Sequence, residues 1–268
     1  MADFQEQLSL VRTVEQTDDG LSPTLARIDA LAQKVLARSW PVQFRIAGSA
    51  SELTASLQLR YEVAVEQGWA EPQDLPAEQE SDAYDPQAVQ IVGWDRAVLA
   101  ATARLVLPEL GRGLPTEEAF GLTPQHRPRC VDVGRLCVRR CYRAQPPWVF
   151  WGLLCQSWFE MRARGYTGIC CSVTASMARI YRALGLGVTA LGPPREYWGE
   201  KRFPALMLPT ASVPDLAFRA VEGVDWRDKG FSGRRGSTIE DANPAAAPRI
   251  GSRDPPPQNA TGCGAWGV

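Results

Sequence analysis

Three charged residues lie within runs of apolar residues, where charges are uncommon. Arg104 lies in the run 99–107, and Asp132 and Arg135 lie in the run 130–138. Arginine and aspartate are seldom buried without a partner of opposite charge. The pattern therefore predicts an ion network in a central cleft, and it favours a functional network over a purely structural one.

The remaining charges are distributed unevenly. Residues 71–85 carry six acidic residues and no basic one, whereas residues 127–143 carry six arginines and one acid, Asp132. We interpret most of these side chains as solvated loop residues. The arginine-rich segment would also suit an acidic partner or a phosphate group.

Several common catalytic signatures are missing. The one histidine, His126, lies in a polar loop beside Pro128, and no nucleophile elbow accompanies it, which argues against a Ser-His-Asp hydrolase. His126, Cys130, Cys137 and Cys141 lack zinc-binding spacing, so we predict no metal site. No predicted strand leads into a G-x-G-x-x-G motif or a P-loop.

Composition places the chain among ordinary globular proteins. Of 268 residues, 45% are apolar and 22% are charged, and the net charge of -1 gives no support for nucleic-acid binding. Seven cysteines without a secretion signal favour reduced thiols and a cytoplasmic location. The longest apolar stretch, 148–159, falls short of the roughly 20 residues of a membrane helix, so we predict no membrane span.

The apolar pattern between residues 42 and 209 predicts alternating strands and helices. In chain order they are strand 42–47, helix 49–67, strands 88–94 and 98–107, strand 129–138, helix 148–164, strand 169–173, helix 175–184, and strands 188–191 and 205–208. Strand-helix-strand segments imply parallel neighbours, and the turn at 95–96 implies an antiparallel pair. The predicted fold class is α/β (α+β), a mixed sheet with helices on both faces.

Four regions follow from this pattern. Residues 1–41 form an N-terminal helical extension whose helix begins at Ser22-Pro23, and residues 42–211 form the main domain. Residues 212–229 contain a short helix over 214–223. Residues 230–268, with seven glycines and five prolines, are predicted to be a disordered tail.

Five separated segments, in order, resemble the motif series of the autoinducer (acyl-homoserine lactone) synthases. The related long-chain N-acyl amino acid synthases share the pattern, and both groups belong to the GNAT acyltransferase superfamily. The segments are Leu59-Arg60-Tyr61-Glu62-Val63, Gly68-Trp69, Glu80-Ser81-Asp82-Ala83-Tyr84-Asp85, Ala103-Arg104-Leu105 and Val131-Asp132-Val133-Gly134-Arg135-Leu136. The resemblance covers about residues 42–209. Segments 114–118 and 196–199 are more similar to the N-acyl amino acid branch.

The resemblance implies a GNAT-like three-layer sandwich and an N-acyltransferase. A fatty acyl group would pass from acyl carrier protein or acyl-CoA to the amino group of an amino acid or of an amine derived from one. No permanently bound cofactor is implied. The partners would be the acyl donor and a small-molecule amine.

Site residues are implied by the same motifs. Asp132 would accept the proton that the attacking ammonium loses, in a position where the family usually has glutamate. Arg135 would act beside it, with backbone N–H groups at 135–137 stabilising the thioester oxygen. The amine site would be shaped by Arg60, Asp82, Asp85 and Arg104, together with Trp69, which is equally interpretable as a core aromatic residue. The acyl donor would contact Leu136, Cys137, Val138, Arg139, Arg140 and Arg143.

The spacing of Asp132 and Arg135 adds one structural expectation. Residues three apart on an ideal strand face opposite sides, so both can line one cleft only if the strand bulges, and Val133 or Gly134 is the predicted place. Two other functions stay open from the sequence. One is a coenzyme-A acetyltransferase acting on a small amine or protein, and the other is a GNAT-like module that binds a ligand through Arg104 and Arg135 without turnover.

Overall fold

An eight-stranded sheet organises the chain. The structure is a computed structural model that describes residues 18–123, 130–143 and 147–223. Its helices and strands, in chain order, are α1 (Asp18–Arg38), β1 (Gln43–Ile46), α2 (Ala50–Glu66), β2 (Val89–Asp95), β3 (Val98–Val106), α3 (Pro115–Phe120), β4 (Cys130–Val138), α4 (Trp148–Ala163), β5 (Gly168–Thr174), α5 (Ala175–Ala183), β6 (Gly187–Ala190), β7 (Arg195–Tyr197), β8 (Glu200–Leu208) and α6 (Val213–Gly223).

The strand order is β1-β2-β3-β4-β5-β8-β6, and β7 pairs with the first part of β8. Within the described residues, β4 and β5 form the one parallel pair and the other pairs are antiparallel. Helices α2 and α3 contact one face of the sheet, and α4 and α5 contact the other. The predicted mixed sheet with helices on both faces is confirmed.

Local sequence signals set two helix starts that matter for the site. The Ser49 hydroxyl accepts the Glu52 N–H at 3.2 Å and caps α2, and Thr174 caps α5 by accepting the Met177 N–H at 3.2 Å. Each cap satisfies a backbone donor that the first helical turn leaves without an intrahelical partner. Both helices therefore begin within a residue of where the sequence predicts them.

Two apolar layers flank the central strands. Between the sheet and α4, the buried core includes Ile91, Leu105, Val131, Leu153 and Met161. Under α2, a second cluster consists of Leu59, Val63, Val92, Leu99 and Cys137. Strands β3 and β4 are thus covered on both sides, and a charge on either strand must find its partners inside the protein.

Helix α1 begins earlier than predicted and packs against α4. It starts at Asp18 and contains Pro23 within its length, rather than starting at Ser22-Pro23. Leu25, Ile28, Ala32 and Val35 form a buried stripe, and the Trp158 indole N–H donates to Asp29 Oδ1 at 2.7 Å. The apolar stripe compensates for the hydrogen bond that a proline removes from a helix.

Two predicted strand pairings need correction. β1 and β2 are antiparallel, although a helix joins them. The Glu80 N–H donates to the Leu57 carbonyl at 3.1 Å, so the loop 67–88 returns along α2 and reverses the direction that a strand-helix-strand unit would give. Strands β5 and β6 are not neighbours, although a helix joins them, because β8 lies between them. The strand predicted at 205–208 is the second half of β8. Helix α3, strand β7 and residues 200–204 of β8 were not predicted, because α3 and β7 are short.

The α4 layer should carry much of the stability. We expect Leu153→Ala to lower the free energy of unfolding by about 2–5 kcal/mol, because Leu153 is fully buried against the sheet and truncation leaves a cavity. Leu110→Ala is the matched control, since Leu110 is 89% exposed, and it should change stability by less than about 0.5 kcal/mol. Urea denaturation of both variants measures the difference, and equal effects would contradict the assignment of the core.

Candidate active site

A bulge in β4 turns Arg135 to the side of the sheet that Asp132 faces. Arg104 of β3 pairs with Gly134 and Thr102 pairs with Cys137, so Arg135 and Leu136 together face the single residue Ala103. Arg135 has a φ of +53°, which is uncommon for a residue with a side chain. The predicted bulge exists, but it lies at Arg135-Leu136 rather than at Val133 or Gly134.

Three arginines and three carboxylates form a charge-balanced network beside this bulge. Arg60 donates to Glu80 Oε2 at 2.5 Å and makes two bonds to Asp85, at 2.6 and 3.1 Å. Arg104 donates to Asp82 Oδ1 at 2.6 Å and to Asp85 Oδ1 at 3.2 Å. All members except Asp82 and Arg135 are buried.

Arg135 forms the solvent-exposed end of this network together with Asp82. Its Nε lies 3.0 Å from both carboxylate oxygens of Glu80, and its Nη2 donates to Asp82 Oδ2 at 3.1 Å. The side chains of Arg135 and Asp82 keep 19% and 30% exposure. The network therefore presents one guanidinium and one carboxylate to solvent.

The loop 67–88 is folded by its own hydrogen bonds to place these acids. The Asp82 N–H donates to Asp85 Oδ2 at 2.7 Å, and the Tyr84 N–H donates to Asp82 Oδ1 at 2.9 Å. The Tyr84 hydroxyl donates to the Gly113 carbonyl at 2.9 Å, and Gln90 of β2 donates to Asp85 Oδ1 at 2.9 Å. The two aspartates are thus fixed from the backbone as well as from the arginines.

The arginines keep the network ionised. Burial alone would raise the pKa of Asp85, but the hydrogen bond from Arg60 and the charges of Arg60 and Arg104 hold it at about 2. Burial also opposes ionisation of Asp82, whose pKa Arg104 nevertheless holds below its ordinary value. The pKa of Arg135 is raised against the effect of burial, chiefly by Glu80. These charges persist at neutral pH.

Asp132 lies outside these ion pairs, contrary to the expectation from its place in an apolar run. It is buried, and its Oδ2 accepts the Thr116 N–H of α3 at 2.8 Å. Burial raises the pKa of Asp132, although the hydrogen bonds from Thr116 and the charges of Arg104 and Arg135 oppose the shift. A carboxylate with a raised pKa is a better proton acceptor than an ordinary surface aspartate.

The sheet opens next to these residues. The parallel ladder between β4 and β5 ends at the pair Asp132–Cys170, and residues 133–138 of β4 have no partner residues in β5. The side of β4 that faces β5 therefore presents backbone N–H and C=O groups to the opening. Residues Leu136, Cys137 and Val138, predicted to contact the acyl donor, lie on this segment.

Glutamates of α2 partly neutralise the arginine-rich loop that follows β4, residues 139–143. Arg139 donates to Glu62 at 2.6 Å, and Arg143 makes two bonds to Glu66, at 3.1 and 2.9 Å. Arg140 is 84% exposed and lies 3.7 Å from Glu66. Glutamates at the end of α2 therefore neutralise part of the positive charge of residues 139–143, and Arg140 is the most exposed of the three arginines in this described segment.

Cys137 and Trp69 pack in the core cluster under α2. The Cys137 thiol is buried, and burial raises its pKa to about 12, so it is no nucleophile at neutral pH. Trp69 is half-buried against this cluster, and the Arg202 guanidinium lies 5.1 Å from its ring centroid. Trp69 thus belongs to the core and borders the site at once.

Sequence reasoning missed four residues that contact the site. Glu80 binds two arginines, although it was visible as the first residue of the acidic motif. Gln90 and Thr116 hydrogen-bond to predicted site residues, and neither has a charge to signal this. Trp198 lies over Arg135, with the guanidinium 4.7 Å from the ring centroid. The spacing of residues along the sequence does not show which distant loops contact each other.

Some predictions fall on other parts of the chain. His126, Arg127, Arg129 and the tail 230–268 lie outside the described residues. Within residues 18–123, 130–143 and 147–223, no cluster of histidine, cysteine or acidic side chains could hold a metal ion. No helix in this part of the chain is long and apolar enough to cross a bilayer.

A family model identifies this combination of elements. The model for N-acyl amino acid synthase FeeM matches residues 55–210, more than half of the chain, and the match includes the ion network, the bulge and the hairpin. The chain belongs to the FeeM N-acyl amino acid synthase family. It is therefore an acyltransferase, as the resemblance implied. No curated protein sequence matches it at a significant level.

Solved structures resemble this FeeM-family protein in fold. TofI, in a ternary complex with an inhibitor and MTA, is 24% identical over 65% of this chain and 96% of TofI, with a TM-score of 0.50. BjaI, a CoA-dependent acyl-homoserine lactone synthase with SAM and isopentyl-CoA, is 17% identical over 65% and 85%, with a TM-score of 0.50. FeeM from uncultured soil microbes is 16% identical over 65% and 92%, with a TM-score of 0.48. The predicted GNAT-like fold is confirmed.

Removing one carboxylate should destabilise this FeeM-family protein. We expect Asp85→Asn to lower the free energy of unfolding by about 3–5 kcal/mol, because Arg60 would lose its two-bond partner while remaining buried. Asp74→Asn, at an exposed position of the same acidic loop, should change it by less than about 0.5 kcal/mol. Chemical denaturation at pH 7 makes the comparison.

The pH dependence gives a second measure of the same charge. The pKa of Asp85 is about 2 in the folded protein and about 3.9 in an unfolded chain, so its ionisation stabilises the fold above pH 4. This contribution, about 2–3 kcal/mol, is lost as pH falls from 4 through 2. The variant Asp85→Asn should show a smaller loss over that window, and an unchanged slope would contradict the assignment.

Proposed function

We propose that this protein joins a fatty acyl group from a thioester to the amino group of an amino acid. One observation carries the proposal: Asp82 of the loop 67–88 meets Arg135 on the segment of β4 that has no partner residues in β5, three residues after Asp132. An amine held by the network would thus face a thioester lying along the open edge of β4.

The network suits a substrate that is both cation and anion. The partly exposed carboxylate of Asp82 can accept hydrogen bonds from an ammonium group. Glu80 and Asp82 fix the Arg135 guanidinium. Its N–H groups that do not bond these two residues can donate to the carboxylate of a substrate. An α-amino acid carries these two groups close together, which supports the family's substrate class for this chain.

Amide formation can proceed without a covalent intermediate. Asp132 takes a proton from the ammonium, directly or through one water, and the neutral nitrogen attacks the thioester carbonyl. Backbone N–H groups of residues 135–137 stabilise the oxygen that becomes negative. The C–N bond forms, the C–S bond breaks, and the leaving thiolate takes up a proton from the nitrogen.

The acyl donor would approach from the open side of β4. The exposed Arg140 lies at the end of this strand and suits either the phosphates of coenzyme A or an acidic carrier protein. BjaI, which shares the fold, was solved with isopentyl-CoA. Both donor classes are part of the proposal, and the kinetic test below separates them.

Analysis of the products tests the proposed function. Cells that express the chain should accumulate an N-acyl amino acid, detected by mass spectrometry of culture extracts, and cells that express Asp82→Asn should not. If the cells accumulate an acyl-homoserine lactone instead, the amine substrate is not an amino acid, and the proposed substrate is wrong. If they accumulate only N-acetylated products, the acetyltransferase alternative is favoured. Extracts identical to those of the empty host would overturn the proposal.

Removing the proposed base should stop turnover without unfolding the protein. We expect Asp132→Asn to lower kcat by about 100-fold or more, because the amide still accepts the Thr116 N–H but takes up no proton. Asp132→Glu should remain active, because it restores the residue the family usually has. The activity of the unchanged protein should fall with decreasing pH through a pKa above the ordinary aspartate value. Near-full turnover of Asp132→Asn at saturating amine would exclude this role.

Reversing the exposed charge of the arginine-rich loop should weaken donor binding. We expect Arg140→Glu to raise the KM for acyl carrier protein several-fold with little change in kcat, and added salt should diminish the difference, because it screens surface charges over about 10 Å at 0.1 M. Arg219→Glu, at an exposed position of α6, is the control. Steady-state kinetics with acyl-CoA and acyl carrier protein measure both donors, and a KM independent of salt and of Arg140 would show that the loop is only solvated.

A further inference from the structure

The tip of the β7–β8 hairpin touches three separate parts of the site. Tyr197 pairs with Glu200, so Trp198 and Gly199 form a two-residue turn in which both residues have positive φ, +53° and +63°. Tyr197 contacts the Phe120 ring of α3 at a centroid distance of 5.3 Å. Trp198 makes a cation–π contact with Arg135 of β4.

Gly199 makes the third contact, with the loop that follows α2. A Cβ atom on Gly199 would stand 3.1 Å from the Gly68 carbonyl oxygen and 3.6 Å from the Trp69 Cα. This approach is tighter than ordinary side-chain contacts, and the close neighbour is backbone. The hairpin tip is therefore seated between the loop 67–88 and the bulge of β4.

Arg135 is held from two directions. Glu80 and Asp82 accept hydrogen bonds from its nitrogens, and its Cζ lies over the Trp198 ring at 4.7 Å from the ring centroid. Residue 135 lies at the bulge, where the regular pairing with β3 is interrupted and contributes less to fixing its direction. The indole is thus a third group, beside Glu80 and Asp82, that restrains this guanidinium.

We propose that Trp198 is a positioning residue for amine binding. Trp198 restrains Arg135, and Arg135 in turn restrains the Asp82 carboxylate to which it donates a hydrogen bond. Trp198 therefore sets the affinity for the amine rather than the rate of the chemical step. Trp198 touches no reacting atom in this scheme. The inference rests on the proposed function, in which Asp82 and Arg135 bind the amino acid.

Substitution of the indole tests the proposal by kinetics. Trp198→Ala should raise the KM for the amino acid by about 5- to 30-fold, the range of a cation–π contact, with kcat changed less than 3-fold and the KM for the acyl donor unchanged. Trp198→Phe should restore most of the affinity, because a smaller ring still covers the guanidinium. Trp40→Ala, an exposed tryptophan before β1, is the control. An unchanged amine KM, or equal losses in Ala and Phe, would overturn the proposal.

A second variant moves the hairpin without altering the indole. Gly199→Ala places a methyl group against the Gly68 carbonyl, so it should displace the tip and raise the amine KM. Gly165→Ala is the matched control, because Gly165 also has positive φ, +81°, but its Cβ would meet nothing within 4 Å. Equal effects of the two substitutions on the amine KM would show that backbone strain, rather than the seat of the hairpin, is responsible.

A crystal structure of Trp198→Ala separates failure of this proposal from failure of the proposed function. The bond from Arg135 Nη2 to Asp82 should lengthen or be lost in that variant and persist in Trp198→Phe. This comparison needs no substrate, so it holds even if the unchanged protein forms no N-acyl amino acid. An Arg135 side chain that keeps both carboxylate contacts in Trp198→Ala would overturn the positioning role.

Discussion

The need to neutralise buried arginines governs the centre of this protein. Arg60 and Arg104 enter the interior from α2 and β3, and their charges are tolerable there only with carboxylates in hydrogen-bond contact. The loop 67–88 supplies three of them. Because this loop must return along α2 to deliver Glu80 and Asp85, it also reverses the chain before β2 and makes β1 and β2 antiparallel. The path of this loop thus both neutralises the buried arginines and sets the antiparallel direction of β2.

The same strand carries the polar centre and the opening of the sheet. In β4, Asp132 marks the last pair with β5, and three residues later the bulge turns Arg135 toward the network. A regular strand would place the Arg135 side chain in the layer under α4, where the described buried residues, such as Leu105 and Val131, are apolar and cannot pair with it. The bulge costs ladder hydrogen bonds and a left-handed backbone at residue 135, and the ion pairs with Glu80 and Asp82 offset that cost.

The two kinds of carboxylate at the site differ in environment and therefore in chemistry. Asp82 and Asp85 face arginines and stay charged, which suits binding and structure. Asp132 faces the backbone of α3 and has no direct ion pair among the described contacts, so burial raises its pKa. Separation of roles by environment is how one cleft can hold an ammonium group and also accept its proton.

The sequence by itself determined the fold class and most element boundaries, through apolar periodicity and helix caps, which are local properties of the chain. Charges within apolar runs pointed to Arg104 and Arg135, whereas Arg60, Asp82 and Asp85 were implied only by the family resemblance. Asp132, expected in the same network, lies outside its ion pairs. Tertiary structure alone decided the residue at which β4 bulges, the pairing of Arg139 and Arg143 with Glu62 and Glu66, and the seating of Trp198 on Arg135. Each of these depends on which distant segments meet, because a side chain's partner across a sheet or a loop is set by packing geometry, and no spacing along the chain records it.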